Sequence, residues 1–98
     1  MYTREQLREK IRSNALINVR ETGRVTLTPD GKQANWYFDF RTILFDKEFL
    51  ETVGALFWET LRESDVPIES PQIGGLESAS LPLITACVLG GDATGFYV

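Results

Sequence analysis

Leu7, Ile11 and Ala15 recur every four residues, with Leu16 and Val19 beside them and charged residues between. That spacing predicts an amphipathic helix of about four turns that frays by Asn18. Thr3 and Gln6 mark its start as a capping box, and Glu5/Arg8 and Glu9/Arg12 sit one turn apart on its wet face. Arg24-Val25-Thr26-Leu27-Thr28 is a short β-type run, Pro29-Asp30-Gly31 is a turn signal, and Asn35 to Phe40 is aromatic and β-prone. The two runs read as a hairpin over residues 24–41. Asp46 then caps a second helix over residues 47–63. Its wide stripe of Phe49, Leu50, Val53, Leu56, Phe57 and Leu61 predicts packing against a sheet.

The remaining pattern is shorter in period. Ile68 to Ile73 reads as a strand even though Pro71 cannot donate to a ladder, and Gly74-Gly75 marks a turn. Leu81–Leu89 follows as a buried helix, with Pro82 in its first turn and Gly90-Gly91 at its end. Thr94 to Val98 reads as another buried strand. The last three elements make a β-loop-α-β unit, which implies an α/β class with a parallel sheet and helices on its faces.

Composition narrows the chemistry. The 98 residues make at most one domain, with 43% hydrophobic residues, no histidine and one cysteine, Cys87. Ser–His–Asp and Cys–His catalysis, a Cys-rich zinc site and an internal disulfide are thereby excluded within this chain. Cys87 itself reads as an inert core thiol, and Trp36, Phe57 and Trp58 as packing or interface residues. The formal net charge is −4, which argues against a nucleic-acid partner. Nine Lys/Arg stand against seven Asp/Glu in residues 1–49, and one against seven in residues 50–98. The N-terminus is polar, and the longest uncharged run, Ser78–Gly91, contains Pro82 and is too short to span a bilayer. The expectation is a soluble, cytoplasmic protein with no membrane partner.

The loop Gly74 to Ser80 carries the candidate chemistry. Backbone N–H groups between a strand and a helix start converge with the helix's positive end, which suits phosphate or pyrophosphate. The same pattern also serves as a capping loop with no ligand. It is neither a Walker loop nor a dinucleotide fingerprint, because the glycine and lysine spacings differ.

Asn35-Trp36-Tyr37-Phe38-Asp39-Phe40-Arg41, then the 47–63 helix, then Gln72 to Leu83 resemble the orotate phosphoribosyltransferase family in collinear order. That family has an aromatic-aromatic-Asp-x-Arg-like strand, a long helix, and a Gly-x-x-x-x-Gly-Ile-Pro-like loop opening the next helix. Gly75 matches the loop's first glycine, Ser80 stands at the second and Pro82 matches the proline. Phe96-Tyr97-Val98 is similar to the strand that, in the family, leads into an Arg-Lys pair and a mobile catalytic loop.

The resemblance implies the N-terminal part of a phosphoribosyltransferase-type parallel-sheet fold, preceded by an α-helix and a β-hairpin. Residues 1–98 would be one incomplete domain: helix 1–23, hairpin 24–41, and the start of the α/β core at 46–98. It implies transfer of a phosphoribosyl group from phosphoribosyl pyrophosphate (PRPP) to a nucleobase, orotate or a related pyrimidine, with release of pyrophosphate. The isolated chain would be inactive, with no catalytic residue of its own. Glu77, Ser78, Ala79 and Ser80 would form the pyrophosphate loop, and Thr28, Tyr37 and Phe38 would lie near the base. Lys32 and Arg41 would be possible substrate contacts, Arg41 alternatively pairing with Asp39. Mg2+ would be carried with PRPP, and a homodimer is implied. Thr28 and Ala79 stand where family members carry lysines. The alternatives are a non-catalytic nucleotide-sensing relative and a small interaction module.

Overall fold

α1 (Arg4–Asn14) opens with the predicted capping box: the Thr3 hydroxyl accepts the Gln6 N–H, and the Gln6 side chain accepts the Thr3 N–H. The computed structural model describes residues 1–23, 27–67 and 69–98. Glu5–Arg8 and Glu9–Arg12 pair at 2.5 and 3.3 Å on the exposed face, where such pairs contribute under about 1 kcal/mol.

The helix stops at Asn14 rather than Asn18. Leu16–Asn18 is a strand, β1, and Val19–Thr22 is a short helix, α2, so residues 1–23 are not one helix. β1 pairs antiparallel with β2 (Trp36–Phe38) in the register Leu16↔Phe38, Ile17↔Tyr37 and Asn18↔Trp36. The Ala15 carbonyl accepts the Asp39 N–H at 2.7 Å and extends the contact. A ladder to an aromatic strand outweighs the weak helical preference of a segment containing Ile17 and Asn18.

The hairpin expected over residues 24–41 falls only in part on the described residues. Arg24, Val25 and Thr26 lie outside the described residues. The turn itself is present: Gly31 has φ 84°, its N–H reaches the Thr28 carbonyl at 2.9 Å, and Leu27 bridges Gln33. Beyond it, the strand partner of the aromatic run among the described residues is β1 and not Leu27–Thr28.

α3 (Lys47–Arg62) follows the predicted boundaries, with the Asp46 carboxylate accepting the Phe49 N–H at 2.8 Å. Its first half packs on a core of Ala15, Ile43 and Phe49, with Leu7, Ile11, Phe40 and Leu50 around them. Phe49 is buried, while Val53, Leu56 and Phe57 are half-buried. The chain's start is pinned alongside: the Tyr2 N–H reaches the buried Thr52 hydroxyl at 2.8 Å, and Arg4 pairs with Glu59 at 2.9 Å.

β3 (Gln72–Gly75) starts after Pro71 and takes in the two glycines expected to turn; Ile68 lies outside the described residues. The glycines are strand residues because the neighbours leave no room for a side chain. A Cβ at Gly74 would strike the Phe96 ring, and one at Gly75 would sit 2.7 Å from the Ser80 hydroxyl. α4 (Leu81–Leu89) matches the sequence reading, and β4 (Thr94–Tyr97) pairs parallel with β3 in the register Ile73↔Gly95 and Gly74↔Phe96. β4 is exposed along its length, against the buried strand expected, because α4 covers one face of this two-stranded sheet and nothing described covers the other. The fold is mixed α/β, with one antiparallel and one parallel pair joined through α3 and α4. Among the described residues, no helix is long and apolar enough to cross a membrane.

Candidate functional site

The segment 76–80 links β3 to α4 and is held at both ends. The Val98 N–H reaches the Gly75 carbonyl at 3.0 Å, and the Glu77 N–H reaches the Val98 carbonyl at 3.2 Å, so the parallel ladder carries on into the loop. The Glu77–Ser78 peptide is cis. At the other end the Ser80 hydroxyl donates to the Leu76 carbonyl, and the Ser80 carbonyl accepts the Ile84 N–H at 2.8 Å. Ser80 therefore closes the loop on itself and does not cap α4 with its side chain. No acceptor among the described residues takes the N–H of Ser78, Ala79 or Ser80. Unpartnered donors at the positive end of a helix favour an anion.

Ser78 and Ala79 line an open groove of about 1320 Å³. Its lining is mainly apolar, Leu44, Leu50, Leu81 and Pro82 among them, and its charged residues are Arg41, Lys47 and Glu51. Arg41 Nε and Nη2 grip the Asp39 carboxylate at 2.9 and 2.5 Å, which raises the guanidinium above its ordinary value and keeps it charged. Lys47 reaches Glu51 at 3.5 Å with its side chain 89% exposed. Sequence reasoning missed Lys47. The signal that could have found it is a cation in the first turn of a helix, where the macrodipole disfavours positive charge.

The other predicted residues lie elsewhere. Trp36 and Phe38 share the exposed face of β2, with ring centroids 5.4 Å apart, and line a second open groove of about 530 Å³ beside Leu16 and Asn35. Tyr37 is half-buried on the opposite face. Thr28 and Lys32 belong to the 27–33 turn: the Thr28 hydroxyl accepts the Lys32 N–H at 3.2 Å, and Lys32 Nζ lies 3.9 Å from Asp30. Neither lines the two grooves. The structure thus brings Arg41 together with Ser78 and Ala79, and leaves Thr28, Lys32, Tyr37 and Phe38 apart from them. Glu77 is exposed on the loop but outside the groove's lining.

Among the described residues, no three His, Cys, Asp or Glu side chains gather as a metal set. Burial raises the Cys87 thiol above its ordinary value, so it is a poor nucleophile at neutral pH.

Over 72 residues the chain is 32% identical to an orotate phosphoribosyltransferase of Rhodopseudomonas palustris strain TIE-1, and 33% identical to that of strain BisB18. The match covers 72% of this chain and 36% of each relative, so it spans little more than a third of the curated relatives. No family model and no solved structure matches the chain.

Proposed function

We propose that this chain forms the pyrophosphate-side part of a phosphoribosyltransferase. In the proposed reaction a base nitrogen, on orotate or a related pyrimidine, replaces the pyrophosphate oxygen on the ribose carbon of PRPP. The observation that carries the reading is the single groove holding the uncommitted Ser78 and Ala79 donors together with Arg41 and Lys47. The similarity to orotate phosphoribosyltransferases runs in the same direction. Negative charge grows on the departing pyrophosphate, and donors already aimed at it stabilise it without reorganising. Magnesium enters as part of the substrate, on the oxygens of PRPP.

The experiment is a pyrophosphate-release assay with magnesium, PRPP and a panel of pyrimidine and purine bases. It is run on the 98-residue chain and on a protein continuing through the remaining length of the relatives. The longer protein is expected to turn over with a pyrimidine, and the chain alone is expected to be silent. Catalysis needs both ends of PRPP held at once, and positioning of that kind is worth roughly 7–11 kcal/mol. Turnover by the chain alone overturns this division of labour. Silence from the longer protein across all bases overturns the enzymatic reading in favour of a non-catalytic nucleotide-binding relative.

A further inference from the structure

α4 is built almost wholly of apolar residues, Leu81-Pro82-Leu83-Ile84-Thr85-Ala86-Cys87-Val88-Leu89. Apolar contact holds such a helix against its neighbour but is non-directional and does little to stop it sliding along its own axis. A hydrogen bond has a preferred distance and angle, so it does.

One such restraint comes from α3. Trp58 is 6% exposed, and its indole N–H donates to the Cys87 carbonyl at 2.6 Å, inside the protein. That carbonyl belongs to the last turn of α4, where it also accepts the Gly90 N–H at 3.3 Å, so the indole takes its second lone pair. The indole ring also fills the space beside the two glycines that follow. A Cβ at Gly90 would lie 3.0 Å from the ring, and one at Gly91 would overlap it. Trp58 therefore abuts the end of α4 as well as bonding to it. At the opposite end, the Ser80 hydroxyl ties the start of α4 to Leu76. A phenylalanine would bury similar area in this place; the indole donor is the part that needs a reason.

We infer that Trp58 is a positioning residue for the 76–80 loop, acting through α4. By setting where α4 sits along its axis, Trp58 sets where Ser78 and Ala79 stand in the groove they line. The inference rests on the reading that this loop takes pyrophosphate. The coupling is reciprocal: if the Trp58–Cys87 bond favours the occupied loop, occupancy of the loop must favour that bond.

The test uses inorganic pyrophosphate with magnesium as the probe. In calorimetry, Trp58→Phe is expected to bind pyrophosphate about two- to five-fold more weakly, the upper figure being the whole worth of one net hydrogen bond, while keeping its far-ultraviolet spectrum. In a Trp36→Phe protein, Trp58 is the sole indole, and its emission is expected to shift as pyrophosphate saturates the loop. A folded Trp58→Phe protein with unchanged affinity overturns the inference. So does constant Trp58 emission at saturation, which decides the matter alone if Trp58→Phe does not fold. A wild-type chain that binds no pyrophosphate overturns the loop reading itself, and the inference with it. Binding that ignores Trp58 overturns the inference alone.

Discussion

Thr28 shows what a single side chain does when the fold around it is only a turn. Its hydroxyl donates to the Asp30 carboxylate and accepts the Lys32 N–H, so its hydrogen bonds are made within residues 28–32. The hydroxyl of Thr28, first among the causes, holds the Asp30 carboxyl below its ordinary value of 3.8. A depressed carboxylate stabilises the folded turn above that ordinary value, and the contribution disappears as pH falls through the lowered midpoint. A carbon-detected NMR titration is expected to show the Asp30 midpoint lowered in the wild type and raised from there in Thr28→Val. An unchanged midpoint in the variant would assign the depression to another cause. Residues of this kind are readable from sequence, because partners two to four positions apart meet whatever the rest of the chain does. Thr3 with Gln6, and Asp46 with Phe49, belong to the same class.

The α3–α4 contact is an element-scale feature that propensity alone would misjudge. Gly54 sits mid-helix in α3, where glycine costs about 1 kcal/mol relative to alanine, so Gly54→Ala reads as stabilising. The structure reverses the sign. A Cβ there would lie 2.5 Å from the Ala86 carbonyl oxygen, which is backbone and cannot rotate away. Overpacking of this sort costs about 1–3 kcal/mol, and the expected result is a urea midpoint lowered by a net loss of about 1 kcal/mol. A raised midpoint would mean that the helices part freely at that crossing. The starts of α3 and α4 were legible because the Asp46 cap and Pro82 in a first turn act locally. β1 was not, since Leu16, Ile17 and Asn18 become a strand only when Trp36, Tyr37 and Phe38 lie alongside.

Across the whole molecule, the Cα radius of gyration is 15.4 Å and the extents are 46 × 29 × 24 Å. A compact domain of 100 residues has a radius of gyration of about 13 Å, so this chain is elongated. α3 runs through it, with Ala15, Ile43 and Phe49 buried toward its start and Trp58, Ala86 and Cys87 buried toward its end. A core built on so few buried side chains leaves little redundancy. Phe49→Ala removes a 2%-exposed ring, at a cost of about 3–5 kcal/mol against a total stability of about 5–15 kcal/mol for ordinary domains. The variant is expected to melt far below the wild type by circular dichroism, with Phe49→Leu in between. A melting temperature within a few degrees of the wild type would place the main stabilising core elsewhere.

Taken by itself, the amino-acid sequence determined the helix expected over 47–63, to within one residue of its end, with its Asp46 cap, the helix over 81–89, the turn at Pro29–Gly31 and the loop before Leu81. Each depends on groups a few residues apart, whose encounter costs little chain entropy. Tertiary structure alone decided that Leu16–Asn18 is a strand, that Gly74 and Gly75 lie within one, and that β4 stays exposed. It also decided that Arg41 and Lys47 share a groove with Ser78 and Ala79 while Tyr37 and Phe38 do not. Those outcomes depend on which distant segments pack together, and a side chain's face on a strand follows from the register of its partner.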